Sequence, residues 1–396
     1  MPLPLEQKPA PSGTEMAPLH IVMDARRLQD FGIGTYIRSL VRALGSIDTT
    51  NRYTLVLAPG DERSLSDLPP NFRTATYSRS DESHLDHVLF PWYLRSLKPD
   101  LVHISLNRVP LLMIRPYVVT VHDLSILFFV PDHSKLRIQL RRFRLRRGLE
   151  RASHVIAVSD TTRRDVEYSM GVAAQRISRV YNAPDPGFTE CADAEAEEKR
   201  RLIMERYQIQ YPFLLYAGNI RRHKNIPRLV EAFAVVRAEL GSHPVYRDLH
   251  LIIIGDTLSQ HPAVRQTVIR TRGEQRVRFL GFVPFETLRC FYQSAAAFVF
   301  PSRYEGFGLP PLEAMACGAP VVTSNASSLP EIVGDAAILV NPENVFDIAH
   351  GIKDALVDTA LRAELIRRGR EQASRYSWAR TAKQVLEIYQ EAAGEH

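Results

Sequence analysis

Phe298-Val-Phe-Pro-Ser-Arg-Tyr-Glu305-Gly-Phe-Gly-Leu-Pro-Pro-Leu-Glu313-Ala-Met-Ala-Cys-Gly318 is the stretch that decides the fold. It reads as a short buried strand, a loop with two glycines, and a helix that opens at once. Pro310 and Pro311 suit a helix's first turn, where N–H groups have no intrahelical acceptor anyway. Gly318 suits the position after the last helical residue, and Pro320 cannot continue the helix. Gly306 and Gly308 let the backbone approach a ligand closely, and the helix start aims further N–H groups at the same spot. An anion, most naturally a phosphate, belongs there. Glu305 stands in the loop and Glu313 in about the first helical turn. One acid near a helix start is explained by the helix dipole, worth about 0.3–1 kcal/mol. Two acids bracketing a glycine loop at a strand's C-terminal end point to a ligand instead.

Outward from this stretch the chain alternates strands and helices. Leu19–Asp24 reads as a first strand, followed by Gly32-Ile-Gly34-Thr-Tyr and a helix with Ile37, Leu40, Val41 and Leu44 at helical spacing. β-like runs recur at 53–58, 73–78, 101–105, 117–122, 154–159 and 177–182. A second series begins at Phe213-Leu-Leu-Tyr-Ala-Gly218 and continues at 249–255, 276–281, 297–302, 319–324 and 336–341. Such alternation predicts α/β architecture with parallel, doubly wound sheets. The expected organisation is a disordered tail over 1–18, a Rossmann-like domain over 19–190, a linker over 191–210, a second Rossmann-like domain over 211–377, and a helix over 378–396. That last helix, N-capped by Ser377, carries Trp378, Ala382, Val385, Leu386 and Tyr389 on one face. Two such domains make a cleft lined by the carboxyl ends of both sheets, where ligands bind in open α/β folds.

The totals agree. A chain of 396 residues exceeds one ordinary core. A net charge of +6 and a pI near 9.2 favour anionic partners. Cys191, Cys290 and Cys317 lie far apart, which argues against a disulfide framework or a cysteine metal site and suits a reducing cytoplasm. The Pro-rich, polar start carries no signal-peptide core, and apolar runs fall far short of the ~20 residues a bilayer requires. A cytoplasmic protein is expected.

Four further segments carry candidate chemistry. Gly32-Ile-Gly34 is half of a dinucleotide fingerprint without its third glycine, better suited to approaching a phosphate than to binding NAD. Gly218-Asn-Ile-Arg221-Arg222-His223-Lys224-Asn225 sets four basic residues between a strand and a helix. Lys224, just before that helix, is the best phosphate ligand, and Arg221 or Arg222 can add a bidentate contact. Val121-His122-Asp123 ends a strand with a histidine open to catalytic or purely polar roles. Arg137 to Arg151 interleaves seven arginines with leucines and Phe143; it is either a basic amphipathic helix facing an anionic membrane or a surface helix with one buried stripe. Sparse aromatic residues there argue against nucleic acid. Walker, Gly-x-Ser-x-Gly, His-Glu-x-x-His and Asp-x-Asp patterns are missing. Phosphate recognition therefore falls to backbone amides and Lys or Arg, with no obligatory metal.

At this point the residues resemble a known family. Pro301–Val322 is similar to the Glu-x7-Glu signature of retaining, nucleotide-sugar-dependent glycosyltransferases of family 4, which have the GT-B fold. Supporting matches span nearly the whole chain: Gly-Ile-Gly-Thr-Tyr, Thr-Val-His-Asp, Val-Ile-Ala-Val-Ser, Gly-x5-Lys-Asn, and Ser-Leu-Pro-Glu-Ile after residue 327. The nearest resemblance is to bacterial mannosyltransferases of surface polysaccharide assembly. It implies an acceptor-side first domain, a nucleotide-sugar-binding second domain, and a last helix crossing back to the first. It implies that Glu305 contacts the transferred sugar, Glu313 the ribose, and Lys224 with a nearby arginine the diphosphate. Amides around Gly306, Phe307, Gly308 and Leu309, and the Gly34 loop, would assist. His122 would lie near the reacting centre and Val283 by the base. Several relatives carry arginine where this chain has Asn219. The implied reaction moves a hexose, first of all mannose, from a nucleotide diphosphate sugar to a lipid-linked or saccharide acceptor. The rival readings are an NAD-dependent oxidoreductase, which NADH titration tests, and a non-catalytic nucleotide- or polysaccharide-binding module, which a labelled-donor assay tests.

Overall fold

Among the described residues thirteen parallel strands form, and they divide into two sheets. The computed structural model describes residues 17–30, 32–65, 68–81, 83–129, 135–189 and 194–394. Most of the expected tail, Cys191 and residues 191–193 of the expected linker lie outside the described residues. The first sheet holds β1 (His20–Asp24), β2 (Arg52–Leu57), β3 (Phe72–Thr76), β4 (Leu101–Ile104), β5 (Tyr117–Val121), β6 (His154–Ala157) and β7 (Ile177–Arg179), in the order β3-β2-β1-β4-β5-β6-β7. The second holds β8 (Phe213–Gly218), β9 (His250–Gly255), β10 (Val277–Gly281), β11 (Ala297–Phe300), β12 (Val321–Ser324) and β13 (Ile338–Val340), in the order β10-β9-β8-β11-β12-β13. Helices cover both faces, so central strands such as Tyr117-Val-Val-Thr-Val121 are buried along their whole length.

This is the two-domain α/β architecture that the resemblance implies. Strand order reverses between β1 and β4 in one sheet and between β8 and β11 in the other. Crevices at such reversals, beyond the carboxyl ends of the strands, are where these folds take ligands. The Lys224 loop follows β8 and the Glu305 loop follows β11, so both stand at the reversal of the second sheet. The charged run before β8 is helical over Ala194–Arg206.

The last helix, Trp378–Gly394, returns to the first domain. Trp378, Val385 and Tyr389 join the apolar cluster built on β1 and the helix Ile33–Ile47. The Tyr389 hydroxyl meets His103 Nδ1 at 2.6 Å, while His103 Nε2 meets Thr120 Oγ1 at 2.8 Å. Burial pushes His103 down to about 3, so the imidazole stays neutral inside the sheet. No described helix is long and apolar enough to cross a membrane.

Candidate active site

The deciding stretch folds as a strand, a loop and a helix. Pro310 and Pro311 fall in the first turn of the helix Leu309–Ala316, which tolerates their missing N–H groups. Gly318, at φ 81°, ends it: the Gly318 N–H bonds the Met315 carbonyl and the Ala319 N–H bonds the Ala314 carbonyl. That is the paired closure of a Schellman motif. Glu313 differs from expectation. The helix starts at Leu309, after Gly308 at φ 115°, so Glu313 stands in the second turn and the first turn carries no acid. The dipole explanation for Glu313 is correspondingly weak, because that field fades beyond the first turn.

Glu305 and Lys224 face each other across the reversal of the second sheet. Lys224 Nζ donates to both carboxylate oxygens of Glu305, at 2.7 and 2.8 Å, and lies 5.1 Å from the centre of the Phe300 ring. Their side chains are only 14% and 11% exposed. In this low-dielectric spot each charge needs the other, and a ligand that separates them has to replace both partners. The Lys224 loop is pinned by Asn225, a residue whose structural role the sequence does not announce. Asn225 takes a left-handed φ of 63° and its carboxamide donates to the carbonyls of Pro301 and Pro342. Arg221 and Arg222 are exposed and have no ion-pair partner among the described residues. Asn219 is no cation, and its carboxamide oxygen is buried without a hydrogen-bond partner among the described residues.

After Glu305 the backbone opens toward the cleft. None of the N–H groups of Gly306, Phe307, Gly308 and Leu309 has a partner among the described residues. Four such donors beside a lysine make an anion cradle. The Phe307 side chain is packed away against Tyr181 and Tyr376. Val283 is buried just beyond β10, its backbone at the carboxyl end of that strand.

Glu313 lies half-buried behind the loop. The Tyr292 hydroxyl donates to its Oε2 at 3.0 Å, and burial pushes the carboxyl up to about 7, against the pull of that hydrogen bond. A carboxyl this reluctant to ionise gains most from additional hydroxyl donors. Its neighbours Cys290 and Cys317 are free, and burial pushes both thiols up.

The first domain meets this loop directly. A Cβ on Gly306 would sit 1.6 Å from the His122 carbonyl oxygen, so the missing side chain serves a backbone-to-backbone contact between domains. His122 Nε2 lies 3.1 Å from the Ser105 carbonyl, which assigns the ring proton to that nitrogen. Burial pushes the imidazole down to about 4 despite the nearby Asp123 carboxylate, so His122 is neutral at neutral pH. It packs edge-on against Tyr36, ring centres 4.8 Å apart, which brings the helix behind Gly32–Gly34 to the same place. Gly34 itself corrects the sequence reading. Its N–H is taken by the Asp30 carbonyl, and a Cβ there would lie 2.3 Å from the Leu28 oxygen. Gly34 packs the β1 loop onto a helix and has no amide left for a phosphate. The NAD-loop reading loses its footing with it.

Comparisons with known proteins agree over most of the chain. Residues 32–188 match the model of Glycosyltransferase Family 4 and residues 200–372 that of Glycosyl transferases group 1. The chain is 34% identical over 299 residues to the O-antigen chain mannosyltransferase B of Escherichia coli, covering 75% of this chain and 76% of that protein. It is 33% identical to the serotype-specific mannosyltransferase WbdA of Escherichia coli over 60% of this chain and 29% of that longer protein. Among solved structures, sucrose-phosphate synthase from Thermosynechococcus elongatus aligns with a TM-score of 0.75 at 21% identity, covering 94% of this chain and 98% of that one. HepE of Anabaena, solved with UDP and glucose, also reaches 0.75, at 20% identity over 94% and 99%. With the Glu305–Lys224 pair and the amide cradle at the reversal of its second sheet, this chain belongs to the family 4, group 1 glycosyltransferases of the GT-B fold and is a hexosyltransferase.

Proposed function

We propose that this enzyme transfers mannose, with GDP-mannose as the first-choice donor and UDP-sugars next, to a hydroxyl of a lipid-linked or saccharide acceptor in surface polysaccharide assembly. Retention of anomeric configuration is part of the proposal. The observation that carries it is the pairing of Lys224 with Glu305 beside four amides that have no partner among the described residues, suited to a diphosphate joined to a sugar. The mannosyltransferase names of the relatives support the choice of sugar. On donor binding Glu305 turns to the sugar hydroxyls and Lys224 to the diphosphate. The bond from the anomeric carbon to the phosphate oxygen breaks, the acceptor oxygen bonds that carbon, and its proton passes to the departing phosphate. Neutral His122 lines the acceptor side. Charge grows on the phosphate, where Lys224 and the amides act, so the reading calls for no resident metal. The test is a panel of nucleotide sugars. The true donor at 100 times its Kd stabilises the protein by about 2.7 kcal/mol, and a labelled sugar then moves to acceptor. A protein that neither shifts with nor hydrolyses any nucleotide sugar overturns the reading.

If Glu313 holds the ribose, nucleotide-sugar affinity has a defined pH dependence. Ribose hydroxyls donate to the carboxylate, and the free carboxyl holds its proton up to about 7. Binding therefore releases a proton, and affinity rises as pH goes from 6 to 8, by up to about tenfold for one proton. The sign for the free protein is opposite: a folded-state value above the ordinary 4.5 means stability falls as pH rises from about 4.5 through 7. A nucleotide sugar has no phosphate titrating in this range, so calorimetry in buffers of different protonation enthalpy reads the protein alone. An unchanged pH slope in Glu313→Gln removes Glu313 from the ribose site.

A lipid-linked acceptor also fits a cytoplasmic protein held at the inner face of the membrane. The helix Lys135–Arg151 buries Leu145 and Leu149 and exposes Leu136, Leu140 and Phe143 among its arginines. Apolar tips flanked by cations suit an anionic bilayer surface. The protein is expected to sediment with vesicles containing phosphatidylglycerol, and Phe143→Asp to weaken this severalfold. Equal sedimentation of the two proteins would exclude this helix as the contact.

A further inference from the structure

The five residues Ser327–Glu331 hold the Glu305 loop on one side and grip the other domain on the other. Ser327 takes a left-handed φ of 58°, which a residue with a side chain keeps only when its surroundings impose it. From there its hydroxyl donates to the Glu305 carbonyl at 2.6 Å and accepts the Glu305 N–H at 3.1 Å. The buried Ser328 hydroxyl is directed at the Phe307 and Glu305 carbonyls, at 2.7 and 2.9 Å. The loop that carries the sugar-facing acid is thus fixed from beneath.

Glu331 reaches the opposite way. Its Oε1 accepts the Asp160 N–H and the Tyr181 hydroxyl, each at 2.8 Å, and its Oε2 accepts the Thr161 N–H at 3.3 Å. Asp160 and Thr161 open the helix Asp160–Met170 of the first domain. Their amides have no acceptor within their own helix, and the positive end of its dipole favours a carboxylate there. The same helix start holds the loop itself: Ser159 Oγ and Thr162 Oγ1 donate to the Gly306 carbonyl at 2.6 and 3.0 Å. Tyr304 completes the grip by donating to Asp165 at 2.6 Å. Glu331 thus bonds the first domain from the second, and parting the domains breaks every bond that it makes across the cleft.

We propose that Glu331 is a positioning residue for glycosyl transfer: by capping the Asp160 helix from the other domain, it holds the closed arrangement in which the Glu305 loop lies on the His122 strand end. The inference rests on the reading that Glu305 contacts the transferred sugar. The test uses the full chain with Glu331→Ala and Glu331→Gln. In Glu331→Ala, kcat is expected to fall about tenfold, as the three hydrogen bonds that the carboxylate accepts are lost from the closed state alone. Donor Kd by titration stays within about twofold, because the donor groups all lie in the second domain. Glu331→Gln, which keeps a carbonyl for one amide, recovers part of the rate. X-ray scattering of the donor-bound alanine protein shows a larger radius of gyration than wild type. An unchanged kcat overturns the proposal, as does a rate loss matched by equal losses of donor affinity and melting temperature. If wild type transfers no sugar from any nucleotide sugar, the functional reading fails separately, and the scattering comparison still decides whether Glu331 closes the domains.

Discussion

Lys224→Ala is expected to lower kcat by about 10²–10³-fold, the loss that follows when one preorganised donor to a developing negative charge is removed. The geometry makes the expectation specific. Among the described residues Lys224 is the cation within hydrogen-bonding reach of Glu305, and it stands beside the open amides of 306–309. Arg221 and Arg222 are exposed and form no ion pair among the described residues, and the position next to Gly218 is occupied by Asn219. In the proposed transfer, charge on the leaving phosphate grows in the transition state, so the loss is expected mainly in kcat. The substitution has a second effect. It leaves the Glu305 carboxylate nearly buried without its partner, which destabilises the free protein. Glu305→Gln in the same background relieves that charge, so stability is expected to recover while turnover is not. Measured kcat and melting temperature for the single and double variants separate the two effects. A Lys224→Ala enzyme that turns over donor like wild type would show that the diphosphate is neutralised elsewhere.

Much of this site was legible in the sequence because its parts are local. A strand followed by glycines and prolines marks where a helix begins, with Pro310 and Pro311 in its first turn, and Gly318 marks where it stops. The strands were legible because parallel, doubly covered sheets need unbroken apolar runs. What escaped was of two kinds. The sequence reading places Glu313 in about the first turn, but the helix begins at Leu309, after Gly308, and Glu313 stands in the second. Gly34 resembled a phosphate loop because a glycine that accommodates a carbonyl of its own chain, here that of Leu28, is written like one that accommodates a ligand. The second kind is long-range. Glu331 meets Asp160 across 171 residues and Tyr304 meets Asp165 across 139, and no periodicity relates such pairs. Their only local signal was present: a tyrosine inside the Glu305 motif and a glutamate in Ser-Leu-Pro-Glu, polar groups in apolar surroundings that require partners.

Gly306→Ala tests the two-domain nature of the site more sharply than any charged substitution. The new methyl would lie 1.6 Å from the His122 oxygen, 2.7 Å from the His122 carbonyl carbon and 2.9 Å from Asp123 Cβ. Two of these are backbone atoms of His122, just beyond β5 and held by its N–H bond to Asn107, so the clash is relieved by parting the domains. Gly306 needs no left-handed backbone, and alanine costs the second domain nothing by itself. Gly308 is the informative contrast. At φ 115° an alanine there strains the loop by about 1–3 kcal/mol, while its methyl meets only the movable Leu329 side chain, at 2.8 Å. Gly308→Ala is therefore expected to lower the melting temperature. Gly306→Ala is expected to leave it and donor affinity near wild type and to lower kcat about 10²-fold, the effect of reacting groups held 1 Å or more out of place. On the proposed donor site, affinity survives because Lys224, Glu305 and Glu313 keep their places within one domain. Full activity in Gly306→Ala would mean that glycosyl transfer proceeds with the loop away from His122, and that the closed contact seen between Gly306 and β5 is not the reacting arrangement.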